Sequence, residues 1–169
     1  VTLVSGPTAL KKPGFVDVVD VVCAKDMYSQ VTSRAGEQDI IIKAAAVADY
    51  RPAEMADHKI KKAAGEGMAL KLQRTDDILA YLGEHKRPGQ ILCGFSMETE
   101  NLIENSRKKL QKKNLDIIAA NSLTQEGAGF QGDTNVLTLI TADSQEPLPM
   151  LSKEEAAHRL LDRLGEMRA

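Results

Sequence analysis

The sequence predicts an α/β fold, in which helices pack on both faces of a mainly parallel β-sheet. Short apolar runs alternate with segments of helical periodicity along the 169 residues, which is typical of βαβ units. The runs expected to be strands are Val1–Val4, Val16–Val22, Ile40–Ala46, Gln90–Phe95, Leu115–Ala120 and Asn135–Thr141. The segments expected to be helices are Lys25–Arg34, Asp76–His85, Thr99–Lys113 and Ser152–Met167. This order describes a three-layer α/β/α architecture with a Rossmann-like sheet.

Capping signals support three of the four helices. Ser152 and Glu155 have the spacing of a capping box, in which each side chain bonds the other's backbone N–H group. Thr75 precedes two aspartates of a first helical turn, where negative charge is favoured. Thr99 is expected to open the next helix.

The strand Ile40–Ala46 is the most informative element of the chain. Its three isoleucines are apolar and β-branched, so we expect the strand to be buried on both faces. Its alanines are small enough for a ligand to approach the backbone, and Asp49 follows them. Ligands of open α/β sheets bind at such strand ends. With the lysines of residues 59–62 following, the pattern favours a nucleotide triphosphate.

The segment 51–72 interrupts the alternation of strands and helices. It contains Pro52, a polar stretch, two glycines at 65 and 67, and a short strand-like run, Met68–Leu72. We predict an exposed β-hairpin flap, here called the arm, attached to a single domain of residues 1–169. An edge strand in such an arm needs a partner strand.

Charge and composition narrow the class of ligand. The net charge is −2, yet eight of the 22 basic residues fall in the windows 59–62 and 107–113. Aromatic residues make up 4% and tryptophan is absent, so the chain lacks the stacking residues typical of nucleic-acid binding. A small polyanion fits the clustered charge better.

The two cysteines predict a reducing compartment. Cys23 and Cys93 each lie in or at the end of an apolar run, which indicates reduced core thiols in a cytoplasmic protein. The chain has no C-x-x-C or H-E-x-x-H pattern, so we predict no protein-built metal site. No apolar run is long enough to suggest a membrane span or a secretion signal.

Five ordered motifs resemble one family, the phosphopantothenoylcysteine synthetase domain of bacterial coenzyme A biosynthesis. The motifs are Val1-Thr2-Leu3-Val4-Ser5-Gly6-Pro7-Thr8, Ala44-Ala45-Ala46-Val47-Ala48-Asp49-Tyr50-Arg51, Lys59-Ile60-Lys61-Lys62, Gly94-Phe95-Ser96-Met97-Glu98-Thr99 and Lys112-Lys113-Asn114-Leu115-Asp116. They span nearly the whole chain. The family begins earlier, with a further strand, a glycine-rich loop and a helix, so we expect this sequence to be part of a longer protein.

The resemblance implies a CTP-dependent ligase. Members of the family join phosphopantothenate to cysteine through an acyl-cytidylate, with Mg²⁺, and release pyrophosphate and CMP. Lysines and the metal ion would neutralise the triphosphate and stabilise charge in the transition state. The resemblance also implies a homodimer paired through the arm, and FMN only where a flavin-dependent decarboxylase is fused upstream.

By resemblance Lys59 is the expected catalytic residue, with Lys61 and Lys62 as weaker supporting charges. The nucleotide-binding residues implied in the same way are Lys43, Ala44, Ala45, Asp49, Lys59, Gln73, Arg74, Thr75, Asp76, Phe95, Lys109 and Lys113. The family commonly has Asn-Pro-Asp where this chain has Thr75-Asp76-Asp77. This difference weakens the assignment of a side-chain contact to the nucleotide but does not affect a backbone contact. Lys109 and Lys113 are four apart, hence on one helical face.

Each of these assignments also has a structural interpretation that needs no ligand. Taken alone, a Lys-x-Lys-Lys run is usually a solvated surface, and basic residues at the end of helix 99–113 suit its dipole in any protein. Asp49 could simply form a turn, and Phe95 could be a core residue.

Three other functions stay open at this stage. The same ligase could prefer ATP, because backbone groups set the choice of base. A dinucleotide-dependent oxidoreductase would need a glycine-rich fingerprint, which the sequence lacks. A module could also bind the nucleotide without catalysis.

Overall fold

The computed structural model describes residues 1–61, 67–122 and 132–168, and the chain divides into two compact units. The first unit contains Val1–Val31 and Ala46–Asp77, and the second contains Thr32–Ala45 and Ile78–Ala169. The extent of the single predicted domain, residues 1–169, stays a prediction.

The elements follow the predicted order, with shifted bounds and added strands. The strands are β1 Thr2–Ser5, β2 Asp17–Asp20, β3 Ile40–Lys43, β4 Tyr50–Pro52, β5 Leu72–Arg74, β6 Ile91–Glu98, β7 Ile117–Ser122, β8 Thr134–Asn135, β9 Leu137–Ile140, β10 Gln145–Pro147 and β11 Leu151–Ser152. The helices are α1 Ala24–Ala35, α2 Ile78–Glu84, α3 Leu102–Lys112 and α4 Lys153–Arg168. The strands β4, β10 and β11 carry no strong apolar alternation and were not predicted.

The second unit is built on a sheet whose five described strands have the order β10-β9-β7-β6-β3. The pairs β3–β6 and β6–β7 are parallel, whereas β7–β9 and β9–β10 are antiparallel. The predicted mixed α/β fold with a mostly parallel sheet is therefore confirmed. Its antiparallel side was not expected from the sequence.

Alternate residues of β6 face different layers of helices. Cys93 and Ile91 pack in the main core with Ala156, Leu160 and Leu164 of α4. On the opposite face, a side chain at Gly94 would meet Leu79 of α2 and Leu115, and the Ser96 hydroxyl bonds Ser106 of α3. Helices thus cover both faces of the sheet, as the three-layer prediction requires.

β3 corrects one expectation about burial. It lies at the edge of the five described strands, and its isoleucines are only partly buried, with Ile42 39% exposed. The buried strands are instead β6 and β7, which have neighbours on both sides. An apolar, β-branched run predicted a strand correctly but did not specify its place in the sheet.

The cysteines occupy contrasting environments. Cys93 is fully buried in β6, and desolvation raises the pKa of its thiol to about 12. The expectation for Cys93 is confirmed. Cys23 is exposed, so the expectation that it is a core thiol is wrong.

The turn from α3 to β7 is fixed by close packing against α2. A Cβ at Gly83 would lie 1.9 Å from the carbonyl oxygen of Lys113, so only glycine fits there. Asn114 adopts a left-handed conformation with φ 49° and donates from its amide to the Gly83 carbonyl, 2.9 Å away. Asp116 accepts from the Leu92 N–H at 2.7 Å and from Lys86 at 2.9 Å. The motif Lys112–Asp116 is therefore a structural joint.

Helix starts agree with the prediction in one case out of three. At α4, Glu155 accepts from the Ser152 N–H and hydroxyl, and its own N–H donates to that hydroxyl, which is the predicted capping box. Thr99 does not cap α3, which begins after Asn101 in a left-handed conformation. Thr75 does not cap α2 either, because its hydroxyl donates to the Ala48 carbonyl at 2.6 Å.

In the first unit, β1 and β2 form a parallel pair and β4 and β5 an antiparallel pair. The β4–β5 ladder is extended by a hydrogen bond from the Ala53 N–H to the Lys71 carbonyl, 2.9 Å. Every described residue of the arm except Ala53 is exposed, and no strand lies between β4 and β5 in its described part. The short strand predicted at Met68–Leu72 starts only at its last residue.

Candidate functional site

In the second unit, the predicted residues gather where β3 ends. Lys43 is the last residue of β3 and pairs with Gly94 of β6, so both point to the face of the sheet that α2 and α3 cover. The exposed Ala44 and Ala45 follow directly, and the Lys43 ammonium donates to the Ala45 carbonyl at 2.8 Å. This contact folds the lysine over the alanine turn. The turn therefore presents backbone groups and a cation together.

Lys109 reaches the neighbouring strand from α3. Its ammonium donates to the Phe95 carbonyl at 2.8 Å. Phe95 is the first residue of β6 beyond the β3–β6 ladder, which stops at the pair Lys43–Gly94. A second ammonium group thus lies on β6 just past the point where β3 diverges, which is where ligands bind in sheets of this kind.

Lys113 is not brought to this place. It follows the last residue of α3, and the next residues lead to Asp116, whose N–H donates to the carbonyl of Leu92 near the start of β6. Lys113 therefore lies toward the amino-terminal end of the strands. Lys113 is the C-cap of α3, and its N–H donates to the Lys109 carbonyl at 3.0 Å, so the predicted helical spacing of the two lysines is kept, with Lys113 one turn farther along.

The opposite face of the sheet carries a residue that the sequence analysis missed. Asn121 is 4% exposed, and its amide oxygen has no hydrogen-bond partner among the described residues. It pairs with Met97, so it points to the same face as Phe95, which is partly buried against the α4 core. An unsatisfied buried amide near a strand end needs a donor. The signal available in the sequence was a polar residue directly after the apolar run 115–120.

In the first unit, the strand pair β4–β5 brings Asp49 and Thr75 together. The Thr75 N–H donates to the Asp49 carbonyl at 2.9 Å, next to the bond from its hydroxyl to Ala48. The Asp49 side chain is exposed and leaves its carboxylate available. Asp76 follows as an exposed residue. Both carboxylates therefore stand beside a fixed turn.

Gln73 and Arg74 have partners on β4. The Gln73 amide oxygen accepts from the guanidinium of Arg51, its cross-strand neighbour. The Arg74 guanidinium lies over the Tyr50 ring, 5.9 Å from its centroid. These contacts account for both side chains without a ligand.

Lys59 and Lys61 are exposed on the arm. Within the described residues the Lys59 ammonium makes no hydrogen bond or ion pair, so no contact there fixes its position. Lys62 lies outside the described residues. His, Cys, Asp and Glu side chains form no group of three or more that could hold a metal ion in the part of the chain described.

Comparison with known proteins identifies the family. Residues 1–167 match the family described as the DNA/pantothenate metabolism flavoprotein C-terminal domain. The chain belongs to this family.

Relatives of known sequence and structure agree with this membership. The chain is 44% identical to the coenzyme A biosynthesis bifunctional protein CoaBC of Bacillus subtilis (strain 168), over 99% of this chain and 41% of that protein. It is 42% identical to CoaBC of Escherichia coli (strain K12), over 97% of this chain and 41% of that protein. The chain thus spans about two fifths of the length of these relatives.

The crystal structure of the C-terminal domain of CoaBC has the same fold as this member of the DNA/pantothenate metabolism flavoprotein family. The two match with a TM-score of 0.80 and 40% identity, over 98% of this chain and 75% of that chain. Among the residues that the structure describes here, no helix is both long and apolar enough to cross a membrane.

Proposed function

We propose that this chain carries the ligase activity that joins 4′-phosphopantothenate to L-cysteine in coenzyme A biosynthesis. The observation that carries the proposal is the pair of lysines at the end of β3, within a chain 44% identical to CoaBC along 99% of its length. In the reaction CTP activates the carboxylate as an acyl-cytidylate and releases pyrophosphate. The cysteine amine then forms the amide bond and displaces CMP.

The lysines at the end of β3 would neutralise phosphate charge. Lys43 and Lys109 are tethered by the carbonyls of Ala45 and Phe95, so little side-chain entropy remains to be lost when a phosphate binds. An ammonium group has three N–H donors, so it can bond a carbonyl and a phosphate at the same time. Pre-positioned cations of this kind stabilise the charge that develops at the α-phosphate.

The alanine turn would recognise the base through its backbone. Ala44 and Ala45 are exposed and have side chains too small to shield their N–H and C=O groups. Asn121 offers a buried amide on the face of the sheet that Phe95 shares. Because these contacts are polar groups at fixed places, they can distinguish cytosine from adenine, and we propose CTP as the nucleotide.

Lys59 keeps its predicted catalytic role, because its ammonium is exposed and free of partners within the described residues. We propose that Asp49 contacts the nucleotide. A lysine with no fixed partner is available to a ligand, and it accelerates the reaction to the extent that its contact is stronger in the transition state than in the ground state.

We propose that Mg²⁺ binds together with the triphosphate. Mg²⁺ is usually bound by one or two carboxylates and substrate phosphates, and the exposed Asp49 carboxylate meets that need without a protein-built cage. When bound, the ion would offset negative charge on the phosphates.

The assembly and location of the ligase are also proposed from the relatives. Exposed apolar side chains on the arm, including Met55 at 93% and Met68 at 71%, suit pairing with a second copy in a homodimer. We propose a cytoplasmic enzyme that acts on small-molecule substrates, as suits a step of coenzyme A biosynthesis. FMN would belong to a decarboxylase fused upstream, as the bifunctional name of the relatives suggests.

Pyrophosphate release tests the proposal. The chain is mixed with Mg²⁺, phosphopantothenate and either CTP or ATP, first without and then with cysteine. Release with CTP and its conversion to repeated turnover by cysteine are expected. Preference for ATP would overturn the nucleotide assignment alone, and release with neither nucleotide would overturn the proposed function.

Lys59→Ala should lower the rate of this reaction by about 100-fold or more, because a group aimed at transition-state charge is lost. Its unfolding temperature should not change. Lys71→Ala is the matched control, since Lys71 is another exposed lysine of the arm and has no proposed role. A Lys59→Ala rate equal to that of the control would remove Lys59 from the mechanism.

A further inference from the structure

Glu98 is the last residue of strand β6 and is held by a short chain of hydrogen bonds. The Ser106 hydroxyl donates to the Ser96 hydroxyl at 3.0 Å, and the Ser96 hydroxyl donates to one Glu98 carboxylate oxygen at 3.4 Å. The Asn105 amide donates to the other carboxylate oxygen at 3.4 Å. Ser106 is 0% exposed and Ser96 is 3% exposed. The carboxylate is therefore oriented from the buried interior of the domain.

All of these donors are neutral. Within the described residues no lysine, arginine or histidine forms an ion pair with Glu98, although α3 carries several basic residues. The two cations of the nucleotide site have other partners, because the Lys43 ammonium donates to the Ala45 carbonyl and the Lys109 ammonium donates to the Phe95 carbonyl. A half-buried, oriented carboxylate without a cation attracts one.

Glu98 points to the same face of the sheet as Lys43, since Gly94, Ser96 and Glu98 alternate with core residues. One face thus presents cations near the end of β3 and a single anion farther along β6. The proposed reaction needs both kinds of group, because one substrate carries phosphates and the other carries an ammonium group.

We propose that Glu98 binds the ammonium group of the amino-acid substrate, with Ser96, Ser106 and Asn105 as positioning residues. This inference rests on the proposed ligase function. The carboxylate accepts N–H bonds from the ammonium and holds its nitrogen at the end of β6. Because the donors that bond the Glu98 carboxylate are neutral, they do not offset its negative charge. Its contact with the substrate ammonium is therefore a charge-assisted hydrogen bond.

Glu98→Gln tests the assignment, because it keeps the shape of the side chain and removes its charge. The KM for cysteine should rise by about 10- to 100-fold, as expected for a charge-assisted contact. Pyrophosphate release before cysteine is added should fall far less. Ser106→Ala should raise the KM for cysteine by a smaller factor, and Glu98→Asp should recover part of the loss. Glu100→Gln, at an exposed carboxylate two residues away, is the matched control.

Each outcome decides between stated possibilities. An unchanged KM for cysteine in Glu98→Gln overturns the inference, and so does a higher Mg²⁺ requirement for pyrophosphate release, which would make Glu98 a metal ligand. If Glu98→Gln does not fold, Ser96→Ala is judged by the same two readouts. A wild-type chain that releases no pyrophosphate disproves the proposed function instead, so the two failures are distinguishable.

Discussion

The sheet of the second unit and the arm hold their lysines in different environments. In the sheet, Lys43 and Lys109 are tethered to backbone carbonyls beside buried strands. On the arm, Lys59 stands among exposed residues and has no partner within the described part of the chain. Tethered lysines are pre-positioned for phosphate charge, whereas an untethered lysine loses side-chain freedom when a ligand orders it.

The comparison predicts that substitutions at closely packed positions of the sheet unit mainly affect folding. Gly83→Ala should have the largest effect, because its Cβ would lie 1.9 Å from the Lys113 carbonyl oxygen and 2.8 Å from its carbon. These are backbone atoms and can move only with the α3–β7 joint. We expect a loss of about 3 kcal/mol or more, measured by urea unfolding.

Gly165→Ala is the control, because the new Cβ in α4 would meet nothing within 4 Å. A helix-interior alanine should stabilise the protein by about 0.5–1 kcal/mol. Equal effects of the two substitutions would contradict the close packing at Gly83.

The α3–β7 joint also shows which features of the fold could be predicted from the sequence. The apolar runs identified six of the strands and all four helices, since periodicity reflects burial. Periodicity does not reveal which strand is at an edge, so Ile42 was expected to be buried. The role of Lys112–Asp116 as a joint depends on contacts with α2 and β6, which are distant in sequence. It was therefore interpreted as part of a nucleotide motif.

Ser152→Ala should have an intermediate effect. It removes the side chain that caps α4 and should cost about 1 kcal/mol at pH 7. Hydrogen bonds from Ser152 lower the pKa of Glu155 below its usual 4.5. A carboxyl with a lowered folded-state pKa stabilises the protein above its unfolded-state pKa and loses that contribution as pH falls through the folded-state value.

The difference in unfolding free energy between wild type and Ser152→Ala should therefore shrink below about pH 4.5. Urea unfolding at pH 7 and at pH 3 measures it. A difference that stays constant with pH would mean that Glu155 does not take part in the cap.

The smallest effect on stability is expected on the arm. Leu70→Ser should change the free energy of unfolding by less than about 0.5 kcal/mol, because Leu70 is 56% exposed. Leu92→Ala, at a residue 1% exposed in β6, should cost about 2–5 kcal/mol. Sedimentation of the Leu70→Ser protein also tests the proposed homodimer, which should weaken. A stability loss similar to that of Leu92→Ala would mean that the arm belongs to the core.

The candidate site was predictable in part, for a physical reason. The alanine turn and Lys43 lie in one continuous segment, so their proximity follows from the chain itself. Lys109 approaches Phe95 only through the packing of α3 on the sheet, and Asn121 became visible only through its unsatisfied amide. The Glu98 hydrogen-bond chain joins residues of β6 and α3, and no local sequence pattern predicts it.

The contrast between the two thiols has a consequence for handling the protein. The thiolate is the reactive form, and with a pKa of about 12 the buried Cys93 has almost none at neutral pH. The exposed Cys23 remains open to alkylating reagents and to oxidants. A maleimide dye should therefore attach once per folded chain, at Cys23, and a second dye would report that the sheet has opened. The protein thus carries its own chemical indicator of an intact core.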